Sequence, residues 1–260
     1  MDFTSIHHEG IKGAVGNFAD NVWITNDQGE TWTIAANSPN TGGVIQGMFV
    51  RSGRVYAVGS ALKFTDDDGA TAWSAAAATG LSGTIQSIYA RTTQILFAVT
   101  GTPDALWKST DAGANFTQVL TLPLDPNEIS FYSKDSDSFG VIAGQNGMAY
   151  ITKDGGESWI RRDFPSATED TQNLHILAPG VFIIGSTSRL YLSGDFGMTY
   201  REFASSITRD ASSVGDFIIT GGTQGVNQLD FTGINGPDIC VDDDCCNHPV
   251  YLTWLNHLLG

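Results

Sequence analysis

The chain has 260 residues, of which 41% are hydrophobic and 16% charged, and it contains 30 glycines. This length allows a sizeable core without metals or disulfides, and the many glycines favour short strands joined by tight turns. A formal charge of −15 without a basic patch argues against nucleic-acid binding, because such a surface repels phosphate. No apolar run approaches the ~20 residues of a membrane span, so we expect no membrane partner.

The N-terminal segment, MDFTSIHHEG, has neither a basic region nor an apolar stretch of the kind that signal peptides contain. The three cysteines, Cys240, Cys245 and Cys246, all lie near the C-terminus and do not resemble a disulfide framework. We therefore expect synthesis without a signal peptide and folding in a reducing cytoplasm.

A short pattern recurs along the chain and reads Ser/Thr-x-Asp-x-Gly-x-Ser/Thr-aromatic. Its copies begin at residues 25, 65, 109, 152 and 193, a spacing of 40 to 44 residues. The second copy has Ala72 inserted before its aromatic residue, and the third has Asn115 at the seventh position. A degenerate sixth copy begins at Thr232, with Ile234 where the aspartate is expected. A fixed period of this length indicates a repeat architecture.

Each copy has the chemistry of a tight turn. The aspartate can accept backbone N–H bonds, the glycine permits a positive φ, and the aromatic ring can pack against a neighbouring sheet. The alternative, a row of catalytic or calcium-binding aspartates, is disfavoured because one aspartate per hairpin cannot chelate an ion. We therefore expect no metal and no cofactor. The residues predicted to have this structural role are Asp27, Trp32, Asp67, Trp73, Asp111, Phe116, Asp154, Trp159, Asp195 and Tyr200.

The pattern resembles the Asp-box (BNR) repeat, whose family members are β-propellers. The resemblance implies an all-β, six-bladed propeller of four-stranded antiparallel blades, with the boxes on the turns between third and fourth strands. Apolar runs before the boxes, such as Ile95–Val99 and Val181–Gly185, read as strands buried on both faces. We place the propeller at residues 1–240 and a C-terminal tail with a short amphipathic helix at 241–260. The predicted blades are 3–37, 41–79, 81–123, 126–168, 170–205 and 207–240.

The Asp-box family includes sialidases, which use an arginine triad, a tyrosine nucleophile helped by glutamate, and an acidic aspartate. This sequence lacks the F/Y-R-I-P arrangement that sialidases show before their first box, and it is short for that family. We therefore expect no catalytic residues and no enzyme activity. The alternative is a carbohydrate-binding propeller or sialidase-like glycosidase that uses the axial face. Its candidate ligand-binding residues are His7, Gln46, Gln86 and His175, which could equally satisfy buried backbone groups.

The C-terminal segment departs from the repeat. Cys240–His248 gathers thiols, carboxylates and an imidazole, but adjacent Cys245 and Cys246 without a C-x-x-C spacing favour free thiols over zinc. Apolar residues then recur on one face of a short helix that could cap the propeller or bind a partner. These are Val250, Trp254, Leu255, Leu258 and Leu259. The string CC-N-H-P-V-YLTWLN resembles a segment of structural and tail proteins of phages that infect Bacteroidetes.

These features lead to a non-enzymatic structural or interaction propeller in a phage virion or its tail. Its expected partners are proteins, either other virion proteins or copies of itself, and a glycan is the alternative ligand. A third hypothesis is an assembly factor, a role that one member of the Asp-box family has in photosystem II. That role would call for clustered arginines, which are not evident here.

Overall fold

The structure is a computed structural model that describes residues 3–132, 138–204, 208–214, 217–222 and 225–230. Side chains are described for residues 4–132 and 138–202. The chain divides into two compact units, Met1–Ile129 and Ser130–Gly260, and the boundary falls within a strand, Pro126–Phe131.

The first unit contains three four-stranded sheets, each with its strands side by side in chain order. The first sheet has β1 (Phe3–Glu9), β2 (Lys12–Asn17), β3 (Val22–Thr25) and β4 (Thr33–Ile34). The second has β5 (Gly47–Arg51), β6 (Arg54–Val58), β7 (Leu62–Thr65) and β8 (Ser74–Ala75). The third has β9 (Thr84–Ala90), β10 (Leu96–Gly101), β11 (Ala105–Ser109) and β12 (Thr117–Thr121).

Two further four-stranded sheets follow with the same order. The fourth sheet has β13 (Pro126–Phe131), β14 (Gly140–Gly144), β15 (Ala149–Thr152) and β16 (Ile160–Arg161). The fifth has β17 (Thr171–Ala178), β18 (Val181–Ser186), β19 (Arg189–Ser193) and β20 (Arg201–Ala204). In the last sheet, the described residues form three strands, β21 (Thr208–Val214), β22 (Phe217–Gly222) and β23 (Gly225–Asp230).

The prediction of six four-stranded blades is therefore wrong, because the described residues form five four-stranded sheets and one sheet of three strands. In each of these five, the fourth strand follows a repeat turn built around an aspartate. The sixth copy of the pattern has Ile234 at that position, and an isoleucine side chain cannot accept the N–H bonds that shape the turn. Residues 231–260 lie outside the described residues, and with them the predicted tail at 241–260 and its helix.

Helix is almost absent from the described residues, which hold one 3₁₀ turn, Gln145–Gly147. No helix within these ranges is long and apolar enough to cross a membrane. Among the second strands, β10 and β14 are buried along their whole length, and β18 is buried except at its first residue. Such strands read as continuous apolar runs because both of their faces contact neighbouring sheets.

Each unit has its own apolar cluster. In the first unit, residues of the first two sheets pack together around Ile45 and Val50, with the ring of Trp73 among them. In the second unit, aromatic side chains dominate, and Phe139, Phe182 and Tyr191 are almost completely buried. These clusters hold adjacent sheets face to face, and they fix the positions of the turns that join the strands.

Candidate functional site

The repeat turns, defined as the five segments that begin at residues 25, 65, 109, 152 and 193, share one hydrogen-bond network. In the first, the Thr25 hydroxyl donates to Asp27 Oδ1 at 2.6 Å and accepts the Gly29 amide at 2.9 Å. Asp27 Oδ1 also accepts the Thr31 amide at 2.9 Å, and Oδ2 accepts the Thr31 hydroxyl at 2.5 Å. The carboxylate therefore closes the turn by binding donors on both sides of it.

The other four turns repeat this geometry closely. Across all five, the Ser/Thr hydroxyl lies 2.6–3.0 Å from the aspartate oxygen. The glycine amide lies 2.8–3.0 Å from the same hydroxyl. Asn115 replaces Ser/Thr in the third turn, and its side-chain amide donates to Asp111 at 2.7 Å. An amide at this position thus supplies the same kind of bond as a hydroxyl.

Two successive residues in each repeat turn have left-handed backbone conformation. The second of them is the predicted glycine, for example Gly113 with φ of 87°. The first is not glycine in four of the five turns; Ala112, for instance, has φ of 61°. The Ala112 amide donates to the Gln94 carbonyl at 2.9 Å, which ties the turn to the β9–β10 connection. This bond holds an alanine in a conformation that costs it energy.

The aromatic residues of the repeat turns differ in burial. Trp73 is 8% exposed and its Nε1 donates to the Asn37 carbonyl at 2.9 Å, while Tyr200 donates to the Arg162 carbonyl at 2.6 Å. Both acceptors lie just after the fourth strand of the preceding sheet. Trp159 contacts Phe131 edge-on at 5.8 Å. Trp32, by contrast, is 40% exposed.

Three of the turn aspartates, Asp27, Asp111 and Asp154, are poor acids and bases at neutral pH because their pKa values are lowered. Hydrogen bonds from Thr25 and Thr31 lower the pKa of Asp27 from 3.8 to about 2. For Asp154, burial acts in the opposite direction but is outweighed by bonds from Ser158, Thr152 and Glu157, and its pKa is also about 2. A carboxylate that stays ionised and saturated with donors has no proton to give at neutral pH. This chemistry suits a structural role.

Within the described ranges, no group of three or more His, Cys, Asp or Glu side chains is placed to hold a metal ion. The cysteine-rich segment that could be read as a zinc site lies outside those ranges. The aspartates sit on separate turns, each engaged with its own local donors. Nothing in this geometry brings them together.

The predicted ligand-binding residues lie on, or directly before, the first strands of their sheets. Gln46 is exposed and precedes β5, and Gln86 lies on β9. The Gln86 amide and the Asp125 carboxylate converge over Gly101, where a Cβ would lie 3.1 Å and 2.6 Å from them. His175 lies on β17, opposite Ile183. The role of these side chains in binding stays a prediction.

His7 has a structural contact that the sequence did not indicate. Its Nδ1 accepts the Val50 amide at 3.0 Å, and its ring stacks on Phe49 with centroids 3.9 Å apart. Burial, followed by the charges of His8 and Arg51, lowers the pKa of His7 to about 3. The imidazole is therefore neutral at pH 7, and its Nδ1 is already engaged.

Arg51 joins the first strands of three sheets. Its guanidinium donates to the Ala90 carbonyl at 2.6 Å, to Tyr89 at 2.9 Å and to Glu9 at 3.1 Å. It also lies 5.5 Å from the Tyr89 ring and 5.6 Å from the Phe49 ring. These contacts occupy its donors with partners inside the protein. Arg51 thus stabilises the packing of the first strands.

A second polar cluster surrounds Glu169, which the sequence analysis did not single out. Glu169 is 9% exposed and accepts hydrogen bonds from Ser186 at 2.5 Å, Tyr191 at 3.1 Å and Ser188. Burial opposes the charged form, but these donors and the charge of Arg189 lower the pKa of Glu169 overall. Glu169 lies in the connection between β16 and β17, and no spacing or motif in the sequence marks it.

Large exposed apolar side chains concentrate in the first repeat. Ile6 and Ile34 are 58% and 52% exposed, and they lie in register with Val15 and Trp23 across the sheet. Residues directly opposite each other on neighbouring strands point to the same side. The first sheet therefore has an apolar outer face, defined here by Ile6, Val15, Trp23, Ile34 and Trp32.

Comparison with known proteins identifies the fold. No protein-family profile matches the sequence, and no curated protein matches it significantly. Among solved structures, YCF48 from Cyanidioschyzon merolae is similar with a TM-score of 0.65 at 14% identity, covering 87% of this chain and 81% of that one. The WD40 β-propeller domain of Doa1 gives a TM-score of 0.64 at 11% identity, covering 88% and 82%. This chain is a β-propeller.

A third similar structure is a glycoside hydrolase. The GH74 enzyme of Niastella koreensis has a TM-score of 0.61 at 18% identity, covering 87% of this propeller and 36% of the enzyme. The propeller thus spans about a third of that protein. Identities this low establish the fold alone, because one fold hosts many functions. Membership in the Asp-box family and the likeness to phage proteins remain predictions.

Proposed function

We propose that this propeller is a non-enzymatic structural or interaction module that works by binding proteins in a phage virion. The observation that carries the proposal is the apolar outer face of the first sheet. Three of the seven large apolar side chains that are exposed among the described residues, Ile6, Trp32 and Ile34, belong to this face, and two more, Ile11 and Phe18, lie elsewhere in the first repeat. Contiguous apolar surface of this kind is typical of protein interfaces.

The polar clusters support the same proposal. The repeat-turn aspartates, Arg51 and Glu169 are engaged by internal donors or acceptors, so they hold the fold rather than face a substrate. The resemblance of the C-terminal string to phage structural and tail proteins supports the proposal that the protein is a component of a virion. The expected partners are other virion proteins or copies of this chain.

Mass spectrometry of purified particles, with the native mass of the isolated protein, tests the proposal. We expect the protein in the particles or in a stable assembly. A strictly monomeric protein that is absent from every particle would overturn it.

Variants of the outer face test the surface itself. Trp32→Ser should abolish incorporation or assembly while leaving the far-UV spectrum and melting temperature nearly unchanged. The matched control is Ile160→Ser, at a 46% exposed residue that follows the aromatic of the fourth repeat turn. If Trp32→Ser instead lowers the melting temperature as strongly as the loss of buried Trp73, the ring is covered within the chain and the surface assignment is wrong.

A second candidate function is carbohydrate binding or glycoside hydrolysis at the axial ends of the first strands. It is favoured by two glutamines at the first strands, exposed Gln46 before β5 and half-buried Gln86 on β9, because side-chain amides bind sugar hydroxyls. A glycan array and a panel of fluorogenic glycosides test it, with Gln86→Ala as the variant expected to lose binding. If the intact protein binds no glycan on the array and cleaves no glycoside in the panel, this candidate function is excluded.

A further inference from the structure

Two side chains of β1 bind backbone amides of β5, although these strands belong to different sheets. Ser5 Oγ accepts the Met48 amide at 2.9 Å, and His7 Nδ1 accepts the Val50 amide at 3.0 Å. The two bonds lie two residues apart on each strand and differ mainly in the chemistry of the acceptor. A hydroxyl does not titrate between pH 3 and 8, whereas an imidazole does.

His7 lies close to the positive charge of Arg51, which disfavours a proton on its imidazole. On its own strand, the neighbours of His7 are His8 and Glu9. From β5 it faces Phe49 and Arg51. Arg51 also binds Tyr89 of β9.

The carboxylate of Glu9 is already engaged, because it accepts bonds from the Arg51 guanidinium and the Ser52 amide. A proton on the imidazole would therefore meet a nearby guanidinium without a free counter-ion. Val50 is completely buried, so water cannot readily replace the lost acceptor of its amide.

We propose that His7 is an acid-sensitive latch between the first strands of the first and second sheets. In its neutral form it holds the Val50 amide; a proton taken up from water at Nδ1 removes the lone pair and releases that amide. The latch needs no ligand and is independent of the proposed function.

Linkage gives the direction and the pH window of the effect. In the closed state His7 holds the Val50 amide, and in the open state this bond is broken. The pKa of His7 is lowered from 6.5 to about 3 in the closed, folded protein, so below pH 6.5 the open state binds the proton more readily. Opening therefore becomes easier as the pH falls from 6.5 towards 3. The expected change in the opening equilibrium is about tenfold per pH unit within this window.

Amide hydrogen exchange in the full chain, corrected for the intrinsic rate at each pH, measures this opening. We expect the protection of the Val50 amide to fall about tenfold per pH unit between pH 6 and 4. His7→Ser replaces the imidazole with a hydroxyl, the same acceptor that Ser5 provides for the Met48 amide. This variant should abolish the pH dependence of the protection of the Val50 amide. A protection factor that stays constant with pH in the unmodified protein, or an equal slope in His7→Ser, would overturn the latch.

A second measurement does not depend on the variant folding. The ¹⁵N chemical shifts of the His7 ring should show an unprotonated Nδ1 down to pH 4 in the folded protein. A ring that titrates near pH 6.5 would contradict the proposal. His8→Ser serves as a control for the amide bond, since His8 is exposed and holds no amide of β5 in the described structure. It removes one of the charges that lower the pKa of His7, but the protection of the Val50 amide should still fall with pH.

Discussion

The indole Nε1 of Trp73 donates a hydrogen bond to the carbonyl oxygen of Asn37, 36 residues earlier, at 2.9 Å. Asn37 lies just after the first sheet and Trp73 just before β8 of the second. The Asn37 amide in turn donates to the Gly69 carbonyl within the second repeat turn at 3.2 Å. The second repeat turn thus connects its own sheet to the preceding one. Asp67 contributes indirectly, because its hydrogen bonds hold the turn in the conformation that makes this contact.

The first prediction compares two aromatic residues of the repeat turns. Trp73→Ala should lower the free energy of unfolding by about 3–5 kcal/mol, because it opens a cavity and leaves the Asn37 carbonyl without its donor. Trp32→Ala should cost far less, because its ring is 40% exposed. Urea unfolding followed by fluorescence and circular dichroism measures both, and equal costs would contradict the role assigned to the buried ring.

The second prediction concerns the carboxylate of a repeat turn. Asp154→Ala removes the acceptor of the Ser158 and Glu157 amides and of two hydroxyls, and should cost about 1–2 kcal/mol. Glu30→Ala, at an exposed carboxylate in the first repeat turn, should change stability by less than about 0.5 kcal/mol. Thermal unfolding of both variants is the measurement. If the Glu30 variant is as unstable as the Asp154 variant, the loss of stability comes from the change in net charge and not from the loss of the turn's hydrogen bonds.

The third prediction is a pH dependence. The folded pKa values of Asp27, Asp111 and Asp154 are about 2 against an ordinary value of 3.8. Because the folded values are depressed, the stabilisation is present above pH 3.8 and is lost as the pH falls to about 2. Asp154→Asn cannot take up this proton, so its stability should fall less steeply across that window. Urea midpoints at pH 4, 3 and 2 measure the slope, and identical slopes would refute the assignment.

Parts of this fold were predictable because their determinants are local. The apolar run Ile95–Val99 predicted a buried strand, observed as β10 from Leu96 to Gly101. The repeat turns followed from the spacing of aspartate and glycine, because a carboxylate and a positive φ are needed within the same few residues. The three-stranded form of the last sheet within the described residues was not predicted, although Ile234 in place of aspartate was visible in the sequence.

The contacts that were missed depend on partners far along the chain. His7 was read as a ligand-binding candidate, but its imidazole accepts an amide 43 residues away. Glu169 is bound by hydroxyls from a turn about 20 residues later, and no periodicity marks them. The apolar outer face of the first sheet could not be predicted from the sequence either, because its apolar residues alternate along the strands in the same way as buried ones.

The last prediction uses the two left-handed residues of the third repeat turn. Ala112 has φ of 61° and is held there by the Gln94 carbonyl. Glycine would remove a strain of about 1–2 kcal/mol at a smaller entropic cost in the unfolded chain, so Ala112→Gly should stabilise the protein by about 0.5–1 kcal/mol.

Two neighbouring substitutions in the same sheet should act in the opposite direction. At Gly113 an added Cβ would lie 3.2 Å from Leu62 and Leu96 with φ of 87°, so Gly113→Ala should destabilise the protein by about 1–3 kcal/mol. Ala105→Gly, in the ordinary strand β11, should also destabilise it, since glycine there gains no conformational relief. If Ala112→Gly is as harmful as Ala105→Gly in thermal unfolding, the strain at Ala112 is not released by glycine and the account of the turn is wrong.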